Sequence, residues 1–341
     1  MLAVTPKLQI GNWLYDTQLA SLRLRRAVLP TVDRLTVDFP SGVKFEAAPG
    51  DDVELELDGG EGSTQVFVGK LSAVTHMPDA LRITAHNGAL SLARYRPVLA
   101  LEQVSVGDII KKLAGDVGVD TGSVVGGPSL ALYASDGRAT AQDEIARLAG
   151  HAAALAVFAG DGTLHVFDAA SSGPESDVPL RFGRELLGAE AVAFAADPTT
   201  RTVVGDGAGG PGSSLARWPI VDFFGGSAPE AGSDARLRAV PELRTVADAR
   251  VASQSWGARA SARENPVRIR TWLVPTLAPG SRWQLQDAPG TLPISAARIT
   301  QVIHSVSAGC GLSEVWGYVE TAGGAGGGLL GAAAAAIGGL L

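Results

Sequence analysis

The side chains best suited to metal chemistry in this chain are its five histidines: His76, His86, His151, His165 and His304. No two of them share a ligand spacing such as His-x-x-x-His, and four lie in or beside segments that alternate apolar and polar residues. That setting is typical of half-buried sheet positions, although ligands far apart in sequence could still converge in space. We therefore predict no metal site.

The single cysteine, Cys310, lies between two glycines, six residues after His304. A catalytic Cys–His pair needs a base in hydrogen-bond contact with the thiol and a third group that orients the base. The two glycines instead indicate a hairpin turn between strands that end near Val306 and begin at Leu312. One cysteine also excludes an intrachain disulfide and a cysteine-rich zinc site, which fits a reducing compartment.

Five carboxylates fall within eight residues: Asp51, Asp52, Glu54, Glu56 and Asp58. Calcium and sugar-cleaving sites bring carboxylates together, but side chains alternate along a strand, so Val53, Leu55 and Leu57 point to one side and Glu54, Glu56 and Asp58 to the other. We therefore expect a solvated face. If this face lines a channel, its charges would repel polyanions.

The glycine-rich segment Gly205–Gly210 matches the spacing of a dinucleotide-binding loop. The residues that follow predict no helix whose N-terminus could hold a pyrophosphate, so we interpret the segment as a plain loop. No Gly-x-Ser-x-Gly nucleophile elbow occurs either. We therefore predict that the chain is not an enzyme, has no catalytic residues and needs no cofactor.

The elements around these residues centre on a mixed helical and β segment from Val104 to Phe167. Ser105 and Asp108 can cap a helix whose apolar stripe runs to Val117 and which Gly118 ends. A second helix is expected from Thr140, with Asp143 three residues on. A hairpin follows, with strands 155–158 and 164–167 around a Gly-Asp-Gly turn.

Short alternating segments on both sides of this insert predict β structure. Before it they cover residues 7–14, 35–39, 53–57, 65–68, 71–76 and 81–86; after it they cover 191–194, 200–204, 267–274, 282–285, 294–306 and 312–319. Residues 235–262 favour a helix, broken in its first turn by Pro241. The predicted class is mainly β with an α/β insertion (α+β).

Composition favours a subunit of an assembly. Only 18% of the 341 residues are charged and 46% are apolar, so much of the surface must be neutral. The net charge is −7 and there is no Lys/Arg run of the kind that recognises nucleic acid. The N-terminal residues lack the pattern of a secretory signal, and we expect none.

The last residues differ in kind from the rest. Residues 321–328 have the composition of a flexible linker, and 329–341 are apolar and uncharged. About a dozen residues are too short to span a membrane as a helix, so we expect no stable membrane insertion. A disordered end is one interpretation. The other is that the tail packs into an apolar groove or on a threefold axis, and the partner-binding residues would then be Leu329, Leu330, Ile337, Leu340 and Leu341.

The order of these elements resembles the baseplate hub proteins of contractile phage tails, the late control protein D group, and the hub part of type VI secretion spikes. Each motif alone is common, and their order carries the resemblance over most of residues 1–320. The segments that carry it are Pro49–Leu57, Val66–Val74, Leu81–Leu90, Ser105–Ala114, Asp143–Phe167, Leu277–Leu285 and Ile299–His304. In departure from the family we expect no spike or lysozyme-like domain downstream, so that the spike would be a separate protein, and the Gly/Ala-rich tail matches no segment of the family's pattern.

The resemblance implies a homotrimer with two tube-like antiparallel β-barrels in each chain. Three chains would form a pseudo-sixfold ring with an axial channel for DNA or protein cargo, and the ring would join a hexameric tail tube to a trimeric spike beside other baseplate components. The particle would be a phage tail, a bacteriocin or an injection system, assembled in the bacterial cytoplasm. The implied domains are 1–96, first barrel; 97–170, α/β insert; 171–215 with 265–320, second barrel; 216–264, helical insertion; and 321–341, tail.

Two other classes stay open at this point. A secreted carbohydrate-binding or peptidoglycan-degrading β protein would need a signal, paired catalytic carboxylates or an aromatic platform. The signal is missing, and the aromatic residues, 6% of the chain, are scattered. A membrane-inserting protein would have to use residues 329–341.

Overall fold

The computed structural model describes residues 4–171, 173–192, 201–205, 220–221, 236–240, 242–243, 247–249, 251–253, 255–256, 265–287, 296–307 and 310–319. The apolar tail residues Leu329, Leu330, Ile337, Leu340 and Leu341 lie outside these ranges. So do positions 206–210 of the glycine-rich segment.

One sheet of 13 strands contains β structure from both ends of the chain. Its N-terminal strands are β1 (Thr5–Ile10), β2 (Trp13–Tyr15), β3 (Ser21–Ala27), β4 (Arg34–Pro40), β5 (Asp52–Asp58), β6 (Ser63–His76) and β7 (Ala80–His86). Its later strands are β13 (Val178–Arg181), β14 (Leu186–Ala191), β18 (Pro266–Trp272), β19 (Arg282–Gln286), β20 (Ala296–Ser307) and β21 (Cys310–Tyr318).

Alternation along the strands produces the core of this sheet. In β5 the side chains of Val53, Leu55 and Leu57 are fully buried, and Glu54 points to solvent, as the sequence predicts. The segment predicted as one strand over 7–14 is instead two strands. Gly11 turns the chain between β1 and β2 at a φ of +54°, a conformation that favours glycine.

The six strands β1 and β3–β7, here the first β block, have the same connectivity as β13, β14 and β18–β21, the second β block. In space the first block runs β3-β4-β7-β6-β5-β1, and the second runs β14-β18-β21-β20-β19-β13. Numbered along the chain within each block, both orders are 2-3-6-5-4-1. The blocks differ in the direction of their first strand: β1 is antiparallel to β5, whereas β13 is parallel to β19.

The expectation of two separate antiparallel barrels differs from the observed pairing. Among the described strands neither block closes on itself, and β20 pairs with β3 to make one continuous sheet. The cause is the length of β20, which has 12 residues. Its first residues pair with β19, and the rest extend past β19 and leave an edge that β3 takes.

The central insert combines three helices with two small sheets. Its elements are α1 (Ala89–Arg94), β8 (Val98–Ser105), α2 (Val106–Gly115), β9 (Thr121–Val124), β10 (Ser129–Asp136), α3 (Ala141–His151), β11 (Ala154–Phe158) and β12 (Leu164–Asp168). Ser105 and Thr140 cap α2 and α3 by accepting hydrogen bonds from the N–H groups of Asp108 and Asp143. Both predicted helices and the hairpin β11–β12 are confirmed, and α1, β8, β9 and β10 were not predicted.

The helix predicted over 235–262 is wrong in its first part. Strand β17 (Arg236–Val240) runs parallel to β15 (Arg201–Gly205), which also pairs with β16 (Ile220–Val221). The reason is visible in the sequence, since Arg, Leu, Arg and Ala alternate with period two before Pro241. Residues 247–249, 251–253 and 255–256 are helical, as predicted. No helix in the described ranges is both long and apolar enough to cross a membrane.

Candidate assembly surface

The first and second β blocks meet along β3 and β20. Seven residue pairs join these strands, from Gln301 opposite Ala27 to Ser307 opposite Ser21. The ladder continues where the Val28 N–H donates to the Thr300 carbonyl oxygen at 3.0 Å. We call this contact between β3 and β20 the block junction. It shows that two similar β blocks can pair antiparallel through their edge strands.

A buried arginine ties the block junction to the central insert. Arg26, 1% exposed, donates to the carbonyl oxygen of Phe158 at 3.0 Å and to Glu175 Oε1 at 2.8 Å. The same Glu175 oxygen accepts a hydrogen bond from the Gly160 N–H at 3.1 Å. One ion pair thus links the first block, the hairpin of the insert and the segment that leads into the second block.

An aspartate is buried in the loop that follows β3. Asp33 accepts hydrogen bonds from the Ala27 N–H at 2.8 Å and from Asn87 Nδ2 at 2.9 Å. Burial raises the pKa of the Asp33 carboxyl to about 7, although the positive charge of Arg26 opposes this shift. Asp33 fixes the start of the β3–β4 connection because it binds the last residue of β3.

A fully buried histidine lies on the β20 side of the block junction. His304 Nδ1 is 2.9 Å from Ser313 Oγ on β21. Burial, and then the charge of Arg26, lower the pKa of His304 to about 3. The imidazole is therefore neutral at pH 7 and serves as a hydrogen-bonded core residue.

The hairpin of the insert packs against β6 through glycines. A Cβ atom at Gly160 would lie 2.2 Å from the backbone oxygen of Gln65, so no side chain fits there. Gly162 has a φ of +86° and approaches Val68. The Gly-Asp-Gly turn recognised in the sequence is therefore also the contact by which the insert packs on the first block.

The histidines are dispersed over the structure. His76, His86, His165 and His304 lie in strands and His151 ends α3. Within the described ranges no group of three or more His, Cys, Asp or Glu side chains is placed to hold a metal ion.

The carboxylate run makes local contacts on the surface. Glu56 pairs with Lys7 at 3.6 Å and Asp52 with Lys70 at 2.7 Å, while Asp58 accepts N–H groups of the turn after β5. Cys310 is exposed and opens β21 opposite Ser307, as the predicted hairpin requires.

Two of the sheet edges that lack a strand partner among the described residues lie on β6 and β14. On β6 the edge opposite β7 is open from Ala73 to His76, because β5 pairs only with residues up to Lys70. On β14 the edge opposite β18 is open. Large apolar side chains are exposed beside the β14 edge: Phe182, Leu187, Val192 and Trp272. Open edges with apolar neighbours are typical of surfaces that pair with another chain.

No protein-family model and no curated protein matches the sequence. Solved structures match it over nearly its whole length. The tail protein from Neisseria meningitidis MC58 has a TM-score of 0.68 at 14% identity, with 93% of this chain and 96% of that chain covered. The 43 kDa tail protein of prophage MuSo2 from Shewanella oneidensis has a TM-score of 0.65 at 13% identity, with 93% and 98% covered.

This chain has the fold of phage tail proteins. The tail-protein fold extends to the E. coli c3393 protein, described as a type VI secretion component with structural similarity to the T4 tail proteins gp27 and gp5. That match has a TM-score of 0.62 at 13% identity and covers 92% of this chain and 77% of that one. At the level of fold, the resemblance predicted from the order of the elements is confirmed. The descriptions of these structures name tail and secretion components and no enzymatic activity.

Sequence reasoning missed the charged groups beneath the block junction. Leu22, Leu24 and Arg26 share one side of β3, so Arg26 stands at the next position of a buried alternation. A charged residue at such a position signals a buried ion pair. The partner, Glu175, is 149 residues away and could not be identified from spacing.

Proposed function

We propose that this chain is a structural baseplate hub protein of a contractile tail or injection system. Three copies form a ring that presents six similar β blocks to a hexameric tail tube and threefold symmetry to a trimeric spike. The chain has no catalytic role in this proposal. The observation that carries it is the shared strand order of the first and second β blocks.

The duplication supports the proposal because symmetry must change from six to three along the axis. A chain that contains two copies of one unit offers six similar surfaces per trimer, while features that occur once per chain, such as the insert, keep threefold symmetry. The full-length similarity to tail proteins and to a type VI secretion component supports the same role.

The exposed face of the sheet suits the wall of an axial channel. It bears paired charges of both signs, such as Arg82 with Asp38 at 2.7 Å and Arg268 with Glu314 at 3.5 Å. A wall of balanced charge neither holds nor excludes a polyanion strongly, so DNA or protein cargo would pass without specific recognition.

Partners of the ring are the tail tube protein, the spike protein and other baseplate components. The tail residues Leu329, Leu330, Ile337, Leu340 and Leu341 would pack against such a partner or on the threefold axis. The ring would be built in the bacterial cytoplasm and would remain in the virion or injection particle.

Native mass spectrometry of the purified chain, followed by electron microscopy, tests the proposal. We expect a mass about three times 34.9 kDa and particles that are rings with a central hole. A monomer that binds glycans or peptidoglycan fragments would refute the hub and favour the carbohydrate-binding class.

A further inference from the structure

The two β blocks correspond residue by residue, because each contains a bulge at the same place. In β6 the register against β7 shifts between Leu71 and Ala73, and in β20 the register against β21 shifts between Ile299 and Gln301. Superposing the bulges makes Leu71 equivalent to Ile299 and His76 equivalent to His304.

The same correspondence extends across four strands of each block. A row of directly opposed residues runs from β3 or β14 to the bulged strand. In the first block the row is Leu24, Leu35, Ala85 and Leu71. In the second block it is Ala191, Val267, Gly317 and Ile299. Strand β14 is therefore the equivalent of β3, and Ala191 is the equivalent of Leu24.

The correspondence between the blocks allows two equivalent contacts, β3 with β20 and β14 with β6. Among the described strands of one chain, only the first of them is made. Strand β3 covers the edge of β20 over residues 301–307. The equivalent edge of β6 is open, as is the outer edge of β14, in the part of the chain that the structure describes. Thr75 and His76 on the first edge are exposed, and Leu187 and Val192 beside the second are 47% and 37% exposed.

The backbone groups on both open edges point the right way for pairing. The Val192 N–H donates to the Pro266 carbonyl oxygen and the Met77 N–H to the Ala80 carbonyl oxygen. The N–H groups of Val192 and Met77 therefore point into their own blocks. Because backbone groups alternate along a strand, those of Ala191 and His76 point to the open edges. Within the described ranges, both edges thus present unpaired backbone donors and acceptors at equivalent positions.

We propose that the edge of β14 in one copy pairs antiparallel with the open edge of β6 in the next copy. The contact repeats the β3–β20 ladder, so His304 opposite Leu24 becomes His76 opposite Ala191, and Ile303 opposite Arg25 becomes Thr75 opposite Val192. The partner is a second copy of this chain, and the inference rests on the proposed ring. The interface is heterologous and closes into a ring when the rotation allows it.

The contact between copies is shorter than the block junction. Strand β20 continues to Ser307, whereas β6 ends at His76 and turns back through Pro78. Pro78 has no N–H to donate, so it stops the ladder. Exposed apolar side chains beside β14, Phe182 and Trp272, supply the apolar area that the short ladder lacks.

Cysteine cross-linking in a Cys310→Ser background tests the register. Thr75 and Val192 form a non-hydrogen-bonded pair in the proposed ladder, with Cα atoms about 4.5 Å apart, inside the range that a disulfide bridges. Thr75→Cys with Val192→Cys in one chain should give a covalent trimer after oxidation. Two co-expressed chains that each carry one of these substitutions should give a covalent dimer and nothing larger.

The matched control combines Thr75→Cys with Leu187→Cys, because Leu187 is also exposed but lies about 17 Å from Val192 along the strand. This variant should not cross-link. As a second variant, Ala191→Pro removes one edge N–H without breaking a bond to β18, and it should abolish the trimer while leaving the melting temperature of the monomer unchanged.

Failure of the register and failure of the ring are distinguishable by mass. A trimer that does not cross-link at 75 and 192, or that cross-links at 75 and 187, overturns the register and leaves the ring intact. A chain that stays monomeric in native mass spectrometry overturns both.

Discussion

At the scale of single residues, two buried titratable groups beneath the block junction respond to pH in opposite ways. Asp33 in the folded chain has a pKa of about 7, and in the unfolded chain its pKa is about 3.9. His304 in the folded chain has a pKa of about 3, and in the unfolded chain its pKa is about 6.5. Between about pH 4 and 6.5, compared with the unfolded chain, the folded chain therefore carries one more proton at Asp33 and one fewer at His304.

We expect the two contributions to cancel in the native protein over that range. Asp33 makes the free energy of unfolding fall as pH rises, and His304 makes it fall as pH falls, each by up to about 1.4 kcal/mol per pH unit. Asp33→Asn should therefore give stability that rises with pH between about 4 and 6.5, and His304→Asn stability that falls. Urea unfolding at four pH values measures both slopes.

The double variant Asp33→Asn with His304→Asn is the control, since it should restore the slope of the native protein. Slopes that do not change in either single variant would show that these groups titrate alike in the folded and unfolded chain.

The ion pair between Arg26 and Glu175 sets the second prediction at this scale. Arg26→Met keeps much of the side-chain volume but removes the arginine that donates to Glu175 and to the Phe158 carbonyl oxygen. We expect a loss of about 2 kcal/mol in unfolding free energy, less than for a fully buried pair because the Glu175 side chain is 24% exposed. Arg23→Met, on the exposed side of the same strand, should change stability by less than about 0.5 kcal/mol. Equal losses in both variants would argue against the buried pair.

At the scale of elements, the insert is held by turn geometry as well as by its apolar core. The caps at Ser105 and Thr140 start helices whose buried faces pack together, with Ile110 and Ile145 among the fully buried side chains. The hairpin turn then joins this unit to β6 by a backbone approach that only glycine permits at position 160. The contact between the hairpin turn and β6 thus depends on a residue with no side chain.

Gly160→Ala tests that contact. The new methyl group would lie 2.2 Å from the Gln65 oxygen, so the hairpin must shift, and we expect a loss of about 2 kcal/mol in unfolding free energy. Gly115→Ala in α2 is the matched control, because nothing lies within 4 Å of its new methyl group and alanine favours the helix by up to about 1 kcal/mol. Hydrogen exchange at β6 and β11 should rise only in the first variant. Unchanged exchange there would mean that the turn does not dock the insert.

At the scale of the whole molecule, the duplicated strand order and the open edges describe a unit that is incomplete alone. A single chain leaves the β6 edge of the first block and the β14 edge of the second block unpaired among the described strands. Three chains in a ring would pair both of these edges in every chain, which is how closed sheets avoid uncontrolled edge association.

Removal of residues 322–341 tests the role proposed for the tail. The tail is apolar and uncharged, so burying it in the ring should favour assembly. We expect the truncated chain to form trimers only at about tenfold higher concentration, measured by analytical ultracentrifugation. Replacing the five residues Leu329, Leu330, Ile337, Leu340 and Leu341 with serine should act in the same way. Unchanged assembly in both variants would leave the tail without a structural role in the ring.

The sequence by itself determined the strands whose side chains alternate, the two capped helices and the hairpin that follows them. These features depend on local periodicity and on side chains within a few residues of one another. Helix α1 escaped prediction because its six residues carry too few periods, whereas β17 was assigned to a helix although its residues alternate with period two. The absence of a convincing catalytic motif was also visible from spacing alone.

Only the tertiary structure decided how the two β blocks meet. The pairing of β20 with β3 joins residues that are about 280 positions apart, and the partner of Arg26 lies 149 positions away. Strand alternation fixes which face of a strand is buried but not which strand lies beside it. Partner choice depends on edges left open by strands of unequal length, and that property exists only once the whole sheet has formed.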